Sequence, residues 1–405
     1  MARKSGISSL PGLFGAILII FPPGYVNGQE MGKPVSDTLT ARKDAIDVVL
    51  HIIKKDSART KKYSDKKFFF SLAPLAGGSG EQGLSLSSIN ASFYLGDPAT
   101  TKMSNINFYP NTNFSSLFQF IIDPNLWASE NRWNINGNFE ISRIQQETYG
   151  MGSNTFPDSL LTIDFNQLRT YIEINRKILR NLFIGAGYKL DKYYNLDYDN
   201  ETYPGSSIDY EYGTTGGSFS SGISFNLLYD SRKNPINSLQ GLYTNAHLRI
   251  SSPMFGSEYT WNSITLDIRK YFRFSRVRHR TLALWGLYWS TWGEVPYLDL
   301  PGSRLYPEGL SGRGYKRGRY RGKKMIYGEA EYRFDITNSG LLGAVMFVNV
   351  QSFSEPETEN FEYLIPAGGI GLRLKFNKYS DSNITSDFAF GKNSFIWYVG
   401  LNEAF

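Results

Sequence analysis

From Phe68 onward, apolar and polar residues alternate in stretches of about ten, separated by turn residues. In Leu242–Ile250, Leu242, Ala246, Leu248 and Ile250 alternate with Tyr243, Asn245, His247 and Arg249. Across Trp261–Phe272, Ile264, Leu266, Ile268 and Phe272 alternate with Ser263, Thr265, Asp267 and Arg269. In the stretch from Met325, Ile326, Gly328, Ala330, Tyr332, Phe334 and Ile336 share one face, and Tyr327, Glu329, Glu331, Arg333 and Asp335 share the other. Faces so regularly charged and so regularly apolar separate an aqueous lumen from lipid. A soluble sandwich would bury its apolar face and rarely makes so many long strands. The pattern predicts an all-β chain, a transmembrane antiparallel β-barrel of about sixteen strands.

The expected strands lie near 67–75, 83–95, 102–110, 113–122, 131–144, 159–177, 180–192, 217–230, 240–251, 258–274, 280–292, 324–336, 341–352, 367–376, 383–390 and 394–404. The phase slips near Asn166-Gln167, which predicts a bulge. Connections after odd-numbered strands include the long ones, 145–158, 193–216, 293–323 and 353–366, whereas those after even-numbered strands are mostly short, such as Thr337–Gly340. Short turns are expected in the periplasm and long loops outside. The N-terminus is then periplasmic, and 293–323 is the sixth extracellular loop.

Composition agrees with a barrel. Aromatics make up 15% of the chain while hydrophobic residues reach only 41%, and mean hydropathy is -0.33. A polar lumen with aromatics at the membrane interfaces accounts for that combination. The net charge of +6 and pI near 9.1 raise nucleic acid as a partner, but much of the excess sits near the N-terminus and in the sixth loop, and the remainder mixes signs. Nucleic acid is therefore not an expected partner.

Ahead of the barrel, Arg3, Lys4, the apolar run Leu10–Phe21 and the small residues around Val26-Asn27-Gly28 read as an export signal over 1–28. The absence of cysteine leaves no disulfide and no lipid-anchoring thiol, so the expectation is an exported protein that is not a lipoprotein. Residues 29–66 read as a periplasmic tether, either solvated or holding one short helix within Leu39–Lys55 with Ala45, Val48, Val49 and Ile52 on one face. The barrel is then 67–405.

The sixth loop carries the densest chemistry. Pro301–Lys324 reads PGSRLYPEGLSGRGYKRGRYRGKK, with eight basic residues from Arg304 to Lys324 and Glu308 as its only acid. Such a segment fits neither lipid nor a dry core and needs carboxylates, phosphates or water. A long loop tucked into a polar lumen satisfies it. The alternative is a solvated loop whose arginines bind lipopolysaccharide phosphates outside. Asp387 alternates onto the lumen face of its strand, opposite Ile384, Ser386, Phe388 and Phe390. Phe395, Trp397, Val399, Leu401 and Phe405 are expected to share one face of the last strand.

These residues resemble the Omp85 superfamily, the D15 surface-antigen and BamA/TamA-like barrels, here a member of the Bacteroidetes type without POTRA domains. Four stretches carry the resemblance: Arg313-Gly314-Tyr315 in the sixth loop followed by GEAEYRF, Tyr229–Pro235 leading through Gly241 into a strand, AGGIGLRLKF over Ala367–Phe376, and the ending SFIWYVGLNEAF. The resemblance implies that the sixth loop folds back into the lumen and that Arg313 docks on acids of the wall, Glu331 matching the acid of the twelfth strand, with Glu329 beside it. The family's aspartate on the thirteenth strand is replaced by Asn349, so one expected charge is missing, and Asp387 is placed to compensate. Trp397, Val399, Leu401 and Phe405 resemble the terminal signal through which outer-membrane barrels are assembled.

No catalytic constellation stands out. His51, His247 and His279 lie on different elements without metal-ligand spacing, and neither enzyme activity, metal nor cofactor is expected. The implied location is the outer membrane of a Gram-negative bacterium. The implied partners are its lipid and lipopolysaccharide, the machinery that inserts the barrel, and a periplasmic protein supplying the missing POTRA function. Two functions follow. One is outer-membrane assembly, inserting or translocating protein or lipid through a seam between the first and last strands. The other is a passive pore or structural barrel constricted by its sixth loop.

Overall fold

A strand with one apolar and one polar face has to sit between lipid and water, and sixteen such strands pair in chain order. A computed structural model describes residues 42–52, 68–73, 88–112, 118–156, 159–199, 208–275, 279–305 and 311–405. The expected export segment, most of the tether and Glu308 lie outside the described residues. The strands are β1 (Phe68–Ala73), β2 (Ser88–Phe93), β3 (Ser104–Thr112), β4 (Phe118–Trp127), β5 (Trp133–Thr148), β6 (Leu161–Leu179), β7 (Leu182–Asp199) and β8 (Gly217–Asp230). They continue with β9 (Gly241–Ser251), β10 (Trp261–Arg273), β11 (Arg280–Gly293), β12 (Lys324–Asp335), β13 (Leu342–Phe353), β14 (Ile365–Asn377), β15 (Ser382–Gly391) and β16 (Ser394–Leu401). Every strand pairs antiparallel with its sequence neighbour in one sixteen-stranded sheet.

Burial follows the alternation with its sign inverted relative to a soluble protein. The charged face of β12 is buried and its apolar face is more open. On the outer surface, Val348 is 64% exposed and Ile370 and Leu372 are each 57% exposed, a surface that lipid rather than water can cover. The ladder between β6 and β7 shifts register between Asp164 and Asn166, where the phase slip predicts a bulge, and again between Lys177 and Leu179. The structure extends β5 and β7 beyond their expected ends, to Thr148 and Asp199, which shortens the loops that follow them. Among the described residues β1 and β2 have six residues each. Among the described residues no ladder joins β16 back to β1.

Within the expected helical stretch, α1 spans Ala45–Ile52. Asp44 and Asp47 cap it reciprocally: the Asp47 N–H donates to Asp44 Oδ1 (2.8 Å) and the Asp44 N–H donates to Asp47 Oδ2 (3.1 Å). The same carboxylates dock the helix at the short-turn end. The Lys378 N–H donates to Asp44 Oδ2 (2.9 Å), and Lys378 Nζ pairs with Asp47 (2.9 Å). The apolar face holding Val49 (55% exposed) and Ile52 (72% exposed) is left open. α1 is thus held by its polar side.

Beside it, the His279 N–H donates to Asp335 Oδ2 (2.8 Å), and Arg42 Nη2 lies 3.9 Å from the same oxygen. His279 lies outside the strands in the turn between β10 and β11, and burial pushes its imidazole down from 6.5 to about 4. Arg42 and Lys375 act in the same direction, against the pull of Asp381 and Asp335. Between those pH values the unfolded chain takes up a proton that the folded chain refuses. Stability is therefore full above about 6.5 and is lost as pH falls toward about 4, by up to about 3 kcal/mol. Thermal melts of the detergent-solubilised barrel should show a fall in Tm over this range that is smaller in His279→Gln. Parallel pH profiles for the two proteins would exclude this role.

Candidate functional site

The described parts of the connection between β11 and β12, residues 294–305 and 311–323, line the lumen and hold its ionic centre. Gly314 makes the approach feasible. Its φ is +102°, and a Cβ there would meet the Cβ of Ala367 at 2.8 Å and the Phe390 carbonyl at 3.3 Å. Arg313, 4% exposed, points into the wall. Its Nη1 donates to Asp387 Oδ2 on β15 (2.9 Å), and its Nη2 donates to Glu331 Oε2 (2.5 Å) and to Glu329, both on β12. The Phe347 ring of β13 stacks under the guanidinium at 3.6 Å. One side chain thus joins three strands.

Asn349 also faces this cluster, in a different role from an acid. Its Nδ2 donates to the Arg313 main-chain oxygen (2.9 Å), so it holds the backbone of the loop rather than the guanidinium. The charge missing at this position is supplied by Asp387. Tyr315 completes the tripeptide: its hydroxyl donates to the Pro366 oxygen (2.6 Å) and accepts from the Lys392 N–H (2.9 Å). The Gly314 N–H donates to the Tyr398 hydroxyl on β16 (3.1 Å), and Arg304 lies over the same ring at 4.6 Å. The loop therefore touches every strand from β12 to β16.

Three participants, Arg333, Arg373 and Glu403, were not legible as site residues, and Phe405 was legible only as part of the terminal signal. Arg333 pairs with Glu331 (2.6 Å), and Arg373 pairs with Asp387 and with Glu403 (2.8 Å). Phe405 packs on Trp285, with ring centroids 5.1 Å apart. Arg313, Arg333 and Arg373 thus meet Glu329, Glu331, Asp387 and Glu403 in one buried group. The signal for Arg373 was present, since it follows Gly371 on the inward phase of β14. Phe405 requires a correction. The expected shared face is open at Phe395 (58% exposed) and Trp397 (44% exposed), Val399 packs against the buried Leu401, and Phe405 is 6% exposed inside the lumen. β16 ends at Leu401, and Asn402, at φ +71°, turns the chain inward.

Five of the basic residues from Lys316 to Lys324 have partners on the wall, on other loops or earlier in the sixth loop. Lys316 pairs with Glu147 (3.0 Å), and Lys323 and Lys324 pair with Glu359 (2.9 and 3.3 Å). Arg319 donates to Thr155 Oγ1 (2.5 Å), and Arg321 donates to the main-chain oxygens of Tyr297 (2.7 Å) and Leu300 (3.2 Å). Ahead of β9, Asp230 pairs with Arg232 (3.0 Å) and Lys102 (3.1 Å). Across the lumen, Asp191 holds Arg169 (2.8 Å) and Arg249 (2.7 Å), and His247 pairs with Glu173 (2.9 Å) as a polar wall residue. Between this wall and the loop lies a cavity of about 610 Å³, lined by asparagines of β3 to β5 such as Asn105 and Asn134 and by Arg317. Among the described residues no cluster of His, Cys, Asp and Glu is arranged to hold a metal ion.

Removing Arg313 leaves three carboxylates without their shared cation in a buried setting, an effect of about 3–5 kcal/mol. Arg313→Ala should lower the urea midpoint of the solubilised barrel accordingly, and Arg313→Lys should recover only part, since an ammonium lacks the planar fork. An unchanged midpoint in Arg313→Ala would show that the cluster is energetically idle. Asn349→Asp replaces a donor by an acceptor facing the Arg313 oxygen and adds a fifth carboxylate to the group. It should destabilise by about 1–3 kcal/mol, and a gain in the same melt would contradict the assigned role of Asn349.

The Omp85 superfamily domain matches residues 101–384, a span that holds Arg313, Glu329, Glu331 and Asn349 and stops short of Asp387. Among solved structures, BamA from Haemophilus ducreyi lacking POTRA domains 1-3 is similar at 14% identity and TM-score 0.50, over 83% of this chain and 70% of that one. CdiB from Escherichia coli is similar at 10% identity and TM-score 0.52, over 83% of this chain and 62% of that one. At these identities the likeness is one of fold. No curated protein sequence matches the chain. With more than half of its residues inside the matched domain and the barrel built strand by strand, the chain belongs to the Omp85 superfamily of outer-membrane β-barrels.

Proposed function

We propose that this barrel takes part in outer-membrane assembly, inserting or translocating protein or lipid through the seam between β1 and β16. In this reading the short turns and α1 face the periplasm and the long loops face outside. The observation that carries it is the uneven bracing of the sheet. The sixth loop clamps β12 to β16 through Arg313, Gly314 and Tyr315, while the described spans of β1 and β2 carry no charged residue that could join such a clamp. A seam with one braced and one unbraced edge opens at lower cost than a seam braced on both sides. Lipid and lipopolysaccharide then flank the seam. Family members that handle substrates carry periplasmic POTRA domains, so the reading includes a periplasmic partner at the short-turn end, and it assigns the protein no catalytic chemistry.

A passive pore is the second reading, favoured by the polar cavity beside the sixth loop. The two separate cleanly. Depletion in the native host should reduce the amounts of other outer-membrane barrels or of surface lipid if the assembly reading holds. Unchanged levels of both would falsify it. In planar bilayers, a large steady current indifferent to Arg313→Ala would instead support the pore.

A further inference from the structure

Residues 403–405 leave the wall after Asn402 and enter a site with all the features of a peptide-binding slot. The Glu403 carboxylate accepts from Arg373 Nε (2.8 Å) at one oxygen and from Asn383 Nδ2 (2.6 Å) at the other. Ala404 packs against the aromatic cluster of the inner wall. The Phe405 ring lies against Trp285 (5.1 Å) on β11 and Tyr271 (6.3 Å) on β10. Arg333 closes the slot from β12, with Nη2 donating to the Phe405 main-chain oxygen (2.7 Å) and its guanidinium 5.3 Å from the ring. Arg333 and Arg373 are themselves 6% and 5% exposed. An acid, a small residue and an aromatic ring are each matched by a complementary surface.

The slot shares its charges with the sixth loop. Arg333 is held by Glu331, which also accepts from Arg313. Arg373 is held by Asp387, which again also accepts from Arg313. With Arg313 docked, Glu331 and Asp387 divide their lone pairs between the loop and the slot. Without it, both carboxylates draw Arg333 and Arg373 toward themselves and away from Glu403.

We infer that the inner wall of β10 to β12 with Arg333, together with Arg373 of β14 and Asn383 of β15, is a binding slot for an acidic–small–aromatic peptide segment. Residues 403–405 of the chain are its resident ligand, and they hold their place only while Arg313 is docked. Recognition rests on a carboxylate clamped by a guanidinium and an amide, and on an aromatic ring in an aromatic cleft under a cation. The slot ties the end of β16 to strands on the far side of β13 to β15, so its occupancy and that of the sixth loop rise and fall together.

The chain has no cysteine, so a single introduced thiol reports cleanly. In Ala404→Cys, maleimide labelling should be slow, and adding Arg333→Gln or Arg313→Ala should each speed it by about tenfold or more. Ser224→Cys on the buried face of β8, labelled in parallel, should stay slow in both backgrounds and so reports that the barrel remains folded. In the second arm, Glu403→Gln/Phe405→Ala, with the slot emptied, should bind a fluorescent Asn-Glu-Ala-Phe peptide saturably, and the unmodified protein should not. A peptide with Gln in place of Glu should bind less tightly. Labelling rates indifferent to Arg333→Gln would overturn the slot, and rates indifferent to Arg313→Ala would overturn its dependence on the loop. Absence of saturable peptide binding to the emptied variant would reduce 403–405 to fixed packing. None of these readouts involves assembly activity, so their failure and that of the assembly reading are separable.

Discussion

A guanidinium taken out of water must find carboxylates, and the organisation of this lumen follows from that requirement at Arg313. The charge cannot be neutralised by losing a proton, as a lysine's can, so the wall has to supply anions at fixed positions. It does so from two strands, with Glu329 and Glu331 on β12 and Asp387 on β15. Those anions in turn exceed what one arginine can satisfy, and Arg333 and Arg373 enter as second cations. The backbone conditions are set by the same demand. Gly314 lets the loop lie against Ala367 and Phe390, and Asn349 receives the main chain that carries the guanidinium. A fifth carboxylate in place of Asn349 would overfill the group, which explains why an amide serves there.

The charged interior also explains the asymmetry of the sheet. Because the ionic group and Tyr315 draw on β12 to β16, the later strands are cross-linked through the lumen as well as by their ladders. The opposite wall has its own ion pairs around Asp191 and Glu173, and these join β6, β7 and β9 to one another. β1 and β2 take part in neither group among the described ion pairs. Among the described residues they are joined by their ladders and by neutral contacts such as Asn90 to Asn107 (2.5 Å) and Phe68 on Phe93, without an ionic cross-link through the lumen.

The strand pattern was legible because the pleat forces a period of two and the environment forces opposite chemistry on the two faces. Bulges appear as slips of that period, as at Asp164–Asn166. The acids facing Arg313 were legible for the same reason, since Glu331 and Asp387 fall on inward phases. What was not legible is where the alternation stops. Extending the period through Asn402 places Phe405 on the lipid face, whereas a single residue at positive φ redirects everything after it. The partners of Lys316, Arg319, Lys323 and Lys324 were hidden differently: they lie at the end of β5 and on other loops, and no local period encodes contacts a loop makes elsewhere. α1 was misleading in a third way. Amphipathicity identifies an apolar face but not which face docks, and here Asp44 and Asp47 bind the rim.

An ionic anchor differs from a hydrophobic one in the state it leaves behind. Buried ion pairs are often no more stabilising than apolar residues of equal volume, because desolvation offsets most of the attraction. An apolar plug at Arg313 would hold the loop as firmly, yet its withdrawal would expose apolar surface on both loop and wall. Withdrawal of a guanidinium leaves cations and carboxylates that water can solvate in a polar lumen. The docked and undocked loops are then separated by a small difference between two large terms, and a modest change at one member of the group is enough to move the balance. Glu403 is such a member, since it reaches Arg313 through only Arg373 and Asp387. Charge, rather than bulk, is what holds the sixth loop and the end of β16 in one buried cluster.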